Sequence, residues 1–110
     1  MTELIATTPP PPYWAVIFTS VQTDELEGYA ETAQRMMELA ARSPGFLGVE
    51  SAREDVGITV SYWADLDCIR EWKRNAEHLA AQANGRRRWY QSFRTRIALV
   101  ERDYGFSRSG

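Results

Sequence analysis

The chain has 110 residues, 44% of them apolar and 25% charged, ordinary proportions for a globular protein and enough for one domain with a modest core. A formal charge of −2 gives no global pull toward nucleic acid or an anionic membrane. One cysteine and one histidine, Cys68 and His78, allow no intrachain disulfide and no zinc-type cluster; with no signal-peptide or membrane-span pattern, a cytoplasmic protein is expected.

Residues 1–12 end in four prolines; such a run favours extended polyproline geometry, cannot join a sheet interior, and reads as a tail leading into the fold. Tyr13 to Val21, rich in aromatic and β-branched residues, reads as a strand. Thr23 and Asp24 offer cap oxygens, and Asp24 with Glu27 has capping-box spacing. The helix expected to follow carries an apolar stripe of Leu26, Tyr29, Ala30, Ala33, Met36, Met37 and Ala40, and Pro44-Gly45 stops it. Phe46 to Arg53 and Ile58 to Trp63 read as strands joined by a short turn at Asp55-Val56-Gly57, hence an antiparallel hairpin. Asp65 can cap a second helix with an apolar stripe of Ile69, Trp72, Ala76, Leu79, Ala80 and Ala83, broken at Asn84-Gly85. A helical turn through Trp89-Tyr90 then leads to a last strand, about Phe93 to Tyr104. The segment 107–110 is expected to be loose, and Arg86-Arg87-Arg88 reads as the solvated end of a helix.

The order βαββαβ indicates an α+β, ferredoxin-like sandwich with an antiparallel sheet and both helices on one face, the domain spanning 13–106. The first strand does not alternate. Tyr13, Ala15 and Ile17 point one way and Trp14, Val16 and Phe18 the other, so both faces should be buried. Two helices cover only one, and a second subunit packed sheet to sheet would cover the other. A homodimer is therefore expected.

No nucleophile elbow, P-loop or dinucleotide fingerprint occurs. On the second helix Asn75, His78 and Gln82 share one polar stripe bordering the apolar one with Trp72 and Leu79. Such a stripe either marks the waterline of the helix or lines a cavity between helix and sheet. Trp63, Trp72, Trp89, Tyr62 and Tyr90 all lie on or beside this unit, and apolar pockets with few polar groups are how small planar ligands are held.

The run from Ser61-Tyr62-Trp63 through Arg70-Glu71-Trp72-Lys73 and His78-Leu79 to Trp89-Tyr90, flanked by AVIFTSV and IALVERDYGF, resembles the antibiotic biosynthesis monooxygenase domain family over about Tyr13 to Phe106. The resemblance implies a dimeric α/β barrel with a pocket between each sheet and its helices. Some members of the family oxidise phenolic, polyketide-like aromatics with oxygen and no cofactor; others bind and cleave haem. Trp72 occupies the tryptophan position that both subgroups share. Where the haem-cleaving subgroup has its axial histidine this chain has Gln82, and its first-strand asparagine has no counterpart near Phe18 and Thr19. Where the quinone-forming subgroup has a tyrosine this chain has His78, and the polar partners of that subgroup are matched loosely by Asn75 and by Arg86 or Arg94.

The site this implies uses His78, Trp72 and Asn75 as reacting groups, with Trp63, Gln82, Phe18, Tyr90 and Arg86 around the substrate, and neither metal nor cofactor. A histidine near its ordinary pKa suits removal of a phenolic proton, and an arginine suits the developing oxyanion. The expected activity is cofactor-independent monooxygenation of a small hydrophobic aromatic compound. Haem binding or cleavage is the second reading. A non-catalytic dimer that holds a hydrophobic metabolite is the third.

Overall fold

The computed structural model describes residues 4–82 and 85–108. Four strands, β1 (Tyr13–Gln22), β2 (Phe46–Arg53), β3 (Gly57–Trp63) and β4 (Tyr90–Val100), alternate with helices α1 (Tyr29–Arg42), α2 (Leu66–Gln82) and the short α3 (Gly85–Trp89). The sheet order is β2-β3-β1-β4 and every pairing is antiparallel. This is the expected α+β ferredoxin-like fold. The strand bounds of β1, β2 and β3 and the core of α2 match the periodicity of the sequence to within a residue or so.

Three local expectations are corrected. The capping box of Asp24 and Glu27 does not form: α1 starts only at Tyr29 behind Gly28, whose φ of 80° lies in the left-handed region that glycine tolerates, and no side chain caps it. The Glu27 carbonyl instead accepts from Trp89 Nε1 at 2.9 Å and Arg88 Nη2 at 3.0 Å, and Thr23 Oγ1 donates to the Arg88 carbonyl. The segment before α1 is thus tied to α3 and cannot continue the helix. Leu26 and Ala30 leave the apolar stripe and are exposed, while Thr32 is buried. In the same way β4 starts earlier than expected and ends at Val100. Val100 pairs with Tyr13, the first residue of β1, and the prolines before Tyr13 have no N–H to continue a ladder.

The expected cap of α2 is present, with Cys68 N–H donating to Asp65 Oδ1 at 2.8 Å. That bond holds the Asp65 carboxyl below its usual range, and the nearby carboxylate pushes the Cys68 thiol up in turn. Ala83 and Asn84 lie outside the described residues.

The core lies between the helices and the even-numbered face of β1. Val16, Ala40, Trp63 and Ile69 are its buried centre, with Trp14, Met37, Phe46, Leu66 and Trp72 packed around them. Trp63 is fully buried; its ring sits 5.4 Å from Phe46 and 5.3 Å from Trp72, and its Nε1 donates to Ser61 Oγ at 2.9 Å.

The opposite face of the sheet is partly covered by the chain's own ends. Residues 6–12 run back over it: Ala6 N–H donates to Glu50 Oε2 at 2.9 Å, and Thr8 Oγ1 donates to the Tyr13 hydroxyl at 3.0 Å. Tyr13 in turn donates to Asp103, and Tyr62 to Glu50. The proline-bearing segment is therefore a strap across the sheet, and Tyr13 and Ala15 are buried beneath it.

Candidate functional site

A cavity of about 190 Å³ opens between the helices and the β1–β4 side of the sheet. The sheet supplies Val16, Phe18, Phe93, Thr95 and Ile97; α1 supplies Tyr29, Thr32, Ala33 and Met36; α2 supplies Ile69, Trp72, Ala76 and Ala80. Trp89 of α3 and Tyr90 at the start of β4 close one side, and Lys73 and Glu77 stand at the rim. The cavity exists because α1 and α2 cover the centre of the sheet but not all of β4. The helix-side residues Phe93, Ile97 and Leu99 stay 38%, 45% and 44% exposed.

The wall is mostly apolar, so its few polar atoms define what it can recognise. The indole Nε1 of Trp72 is buried and finds no hydrogen-bond partner among the described residues. A buried donor without an acceptor is costly, and a ligand oxygen is the kind of group that relieves it. The Tyr90 pKa is raised first by burial and then by the neighbouring Tyr29, while the Arg53 charge works the other way. Tyr90 also packs edge-on to Phe18 at 5.6 Å and to Tyr29 at 6.1 Å. Arg53 reaches this region because Gly57, opposite it in the hairpin, has no side chain: a Cβ there would stand 2.1 Å from the guanidinium. Its Nη2 donates to buried Ser20 on β1.

The sequence-derived site residues divide. Trp72, Phe18 and Tyr90 line the cavity. Trp63 does not; it stands behind Trp72 as a core residue. Asn75, His78 and Gln82 are exposed and outside the lining. The helical phase explains this. At about 100° per residue, His78 comes nine positions after Ile69, about 180° away, so with Ile69 and Ala76 turned to the core the polar stripe faces away from it. The side chain of Arg86 lies outside the described residues. Tyr29, Thr32 and Arg53 escape a reading of the sequence as site residues: Tyr29 belongs there only to the apolar stripe of α1, and Arg53 only to a strand end. The chain's single histidine, His78, does not line this cavity, so it is not placed to ligate a haem held there. Among the described residues no group of three or more His, Cys, Asp or Glu side chains is arranged to hold a metal ion, and no helix is long and apolar enough to cross a membrane.

Known proteins show the same architecture. The antibiotic biosynthesis monooxygenase family model matches residues 12–84. Protein YqjZ of Bacillus subtilis (strain 168), itself uncharacterized, is 53% identical over 104 residues, which cover 93% of this chain and 91% of YqjZ. Among solved structures, protein SO0527 from Shewanella oneidensis superposes with a TM-score of 0.69 at 10% identity, covering 90% of this chain and all of the other. SnoaB, a cofactor-independent oxygenase from Streptomyces nogalater, gives 0.62 at 15% identity over 86% of this chain and 97% of its own. At those identities the two structures speak to the fold, while the sequence match over the helices and sheet that build the cavity speaks to descent. The chain belongs to the antibiotic biosynthesis monooxygenase family.

Proposed function

We propose that this protein binds a small phenolic aromatic compound in the cavity beneath α2 and oxidises it with molecular oxygen, without a bound cofactor. The observation that carries this reading is the mostly apolar cavity walled in part by Trp72, whose buried indole N–H has no hydrogen-bond partner among the described residues. The resemblance to the cofactor-independent oxygenase SnoaB supports the reaction class. For 1-naphthol as a probe, the reaction balances as one oxygen molecule consumed, one oxygen atom installed as the new carbonyl of 1,4-naphthoquinone, and the other released as water. An electron-rich ring in phenolate form supplies the electron to oxygen. The protein's part is to hold the ring against Phe18 and Trp72, exclude water, and stabilise the oxyanion. His78, Asn75 and Gln82 take no role in this scheme.

A homodimer formed through the strap-bearing face completes the reading, in line with the family's dimeric barrel. Its support is the apolar surface left beside the strap, where Ile58 is 45% exposed. Sedimentation velocity is expected to give twice the mass of one chain, and a monomer across the micromolar range would remove the dimer from the account. The oxidation itself is tested by oxygen uptake with hydroxylated aromatics; a panel of one-, two- and three-ring phenols that draws no uptake above the spontaneous rate would leave a binding protein instead.

A further inference from the structure

We propose that the hydroxyl pair Tyr29–Tyr90 is the specificity-determining element of the cavity, receiving the phenolic oxygen of a one- or two-ring ligand at the side where α1 meets β4. This rests on the cavity being the ligand site and deepens that reading by naming the group recognised and where it lies.

Three observations carry it. Both tyrosines line the cavity, and they come from different elements, α1 and the start of β4. Their orientation is built by packing: Tyr29 sits edge-on to Trp89 at 5.5 Å, and Tyr90 lies between Phe18 at 5.6 Å and Phe93 at 5.7 Å. Each hydroxyl is both a donor and an acceptor, and Tyr29 lies close enough to Tyr90 to raise its pKa. The pair therefore offers both a donor and acceptor lone pairs, at a place where the neighbouring wall is aromatic. A phenol oxygen, which both donates and accepts, satisfies both kinds of group.

The electrostatics agree. Arg53, bonded to Ser20, is the cation whose charge reaches Tyr90. A positive charge behind the pair favours a ligand oxygen carrying negative charge over a neutral substituent. Size sets the ring count. An apolar cavity of roughly 150 Å³ admits benzene, so about 190 Å³ accommodates one ring and, with the β4 side open, a second.

The test separates recognition from turnover. Calorimetric titrations under anaerobic conditions compare 1-naphthol with 1-methylnaphthalene, which has a methyl group in place of the hydroxyl, in wild type, Tyr90→Phe, Tyr29→Phe and Arg53→Gln. Wild type is expected to prefer the naphthol by about three- to tenfold, as one net hydrogen bond supplies. Tyr29→Phe and Tyr90→Phe keep the rings and are expected to bring the two affinities together while leaving 1-methylnaphthalene binding unchanged. Arg53→Gln is expected to reduce the preference at pH values where the naphthol ionises. An equal preference in Tyr29→Phe and wild type, or no preference in wild type, overturns the assignment. Because no oxygen is present, a protein that discriminates in this way yet never consumes oxygen refutes the oxidation and leaves the recognition standing.

Discussion

Replacing Trp63 by Phe tests whether this residue is a structural pillar rather than part of the ligand site. The substitution keeps an aromatic ring between Phe46 and Trp72 but removes the pyrrole portion and its N–H. About 40 Å² of buried apolar surface is lost, roughly 1 kcal/mol at 25 cal/mol per Å². The Ser61 hydroxyl, 2.9 Å from Trp63 Nε1 and itself 4% exposed, loses its donor. Leaving such a group unpaired adds about 1–3 kcal/mol. The expected cost is therefore about 2–4 kcal/mol, or a fall in Tm on the order of 10–20 °C for a domain of this size. Urea denaturation reads it directly. The discriminating comparison is with the double variant that adds Ser61→Ala, in which no buried polar atom is orphaned; it is expected to recover about 1–2 kcal/mol relative to additivity. If Trp63→Phe costs less than about 0.5 kcal/mol, or if the two substitutions add without coupling, the buried indole–hydroxyl bond is not what holds this part of the core.

Trp72→Phe should behave oppositely: its N–H has no partner among the described residues to lose, so stability is expected to change by less than about 1 kcal/mol while affinity for a phenolic ligand falls. Thermal melts and calorimetry on the same preparation check both halves. Asp65→Ala removes the cap of α2. Because the Asp65 carboxyl is depressed in the folded protein, its stabilisation is fully present above the ordinary carboxylate pKa and fades as pH falls through the folded value. The gap in Tm between wild type and this variant is thus expected to be largest at neutral pH and to close in acid; a gap that is unchanged down to about pH 2, below the ordinary carboxylate range, would show that the carboxylate is not the cap.

How much of this is legible in the sequence depends on whether a signal is local. The strands β1, β2 and β3 announce themselves through β-branched and aromatic runs, and Asp65 at the head of α2 is a cap that depends only on its own next three residues. Both survive in the structure. The start of α1 is not legible, because the Glu27 carbonyl is taken by Trp89 and Arg88 from the far end of the chain. The end of β4 depends on a partner strand that begins only after the prolines. Trp72, Phe18 and Tyr90 emerge through aromatic clustering, a signal that cannot separate a cavity wall from the core, and Trp63 goes to the core. His78 draws attention as the only histidine, yet the phase of α2 is fixed by Ile69, Trp72 and Ala76, and that phase turns His78 outward. Tyr29 and Arg53 are hidden for a different reason: each contributes through a long-range contact, one across to Tyr90 and the other across Gly57 to Ser20.

The most direct test of the central claim, that the cavity beneath α2 is where the chemistry happens, is oxygen consumption with 1-naphthol by wild type, Trp72→Phe and His78→Ala measured side by side. The account predicts one oxygen consumed per quinone formed, a rate reduced by about tenfold or more in Trp72→Phe, and an unchanged rate in His78→Ala. Loss of activity in His78→Ala with full activity in Trp72→Phe would contradict it, and would move the site to the solvent-facing stripe of the helix.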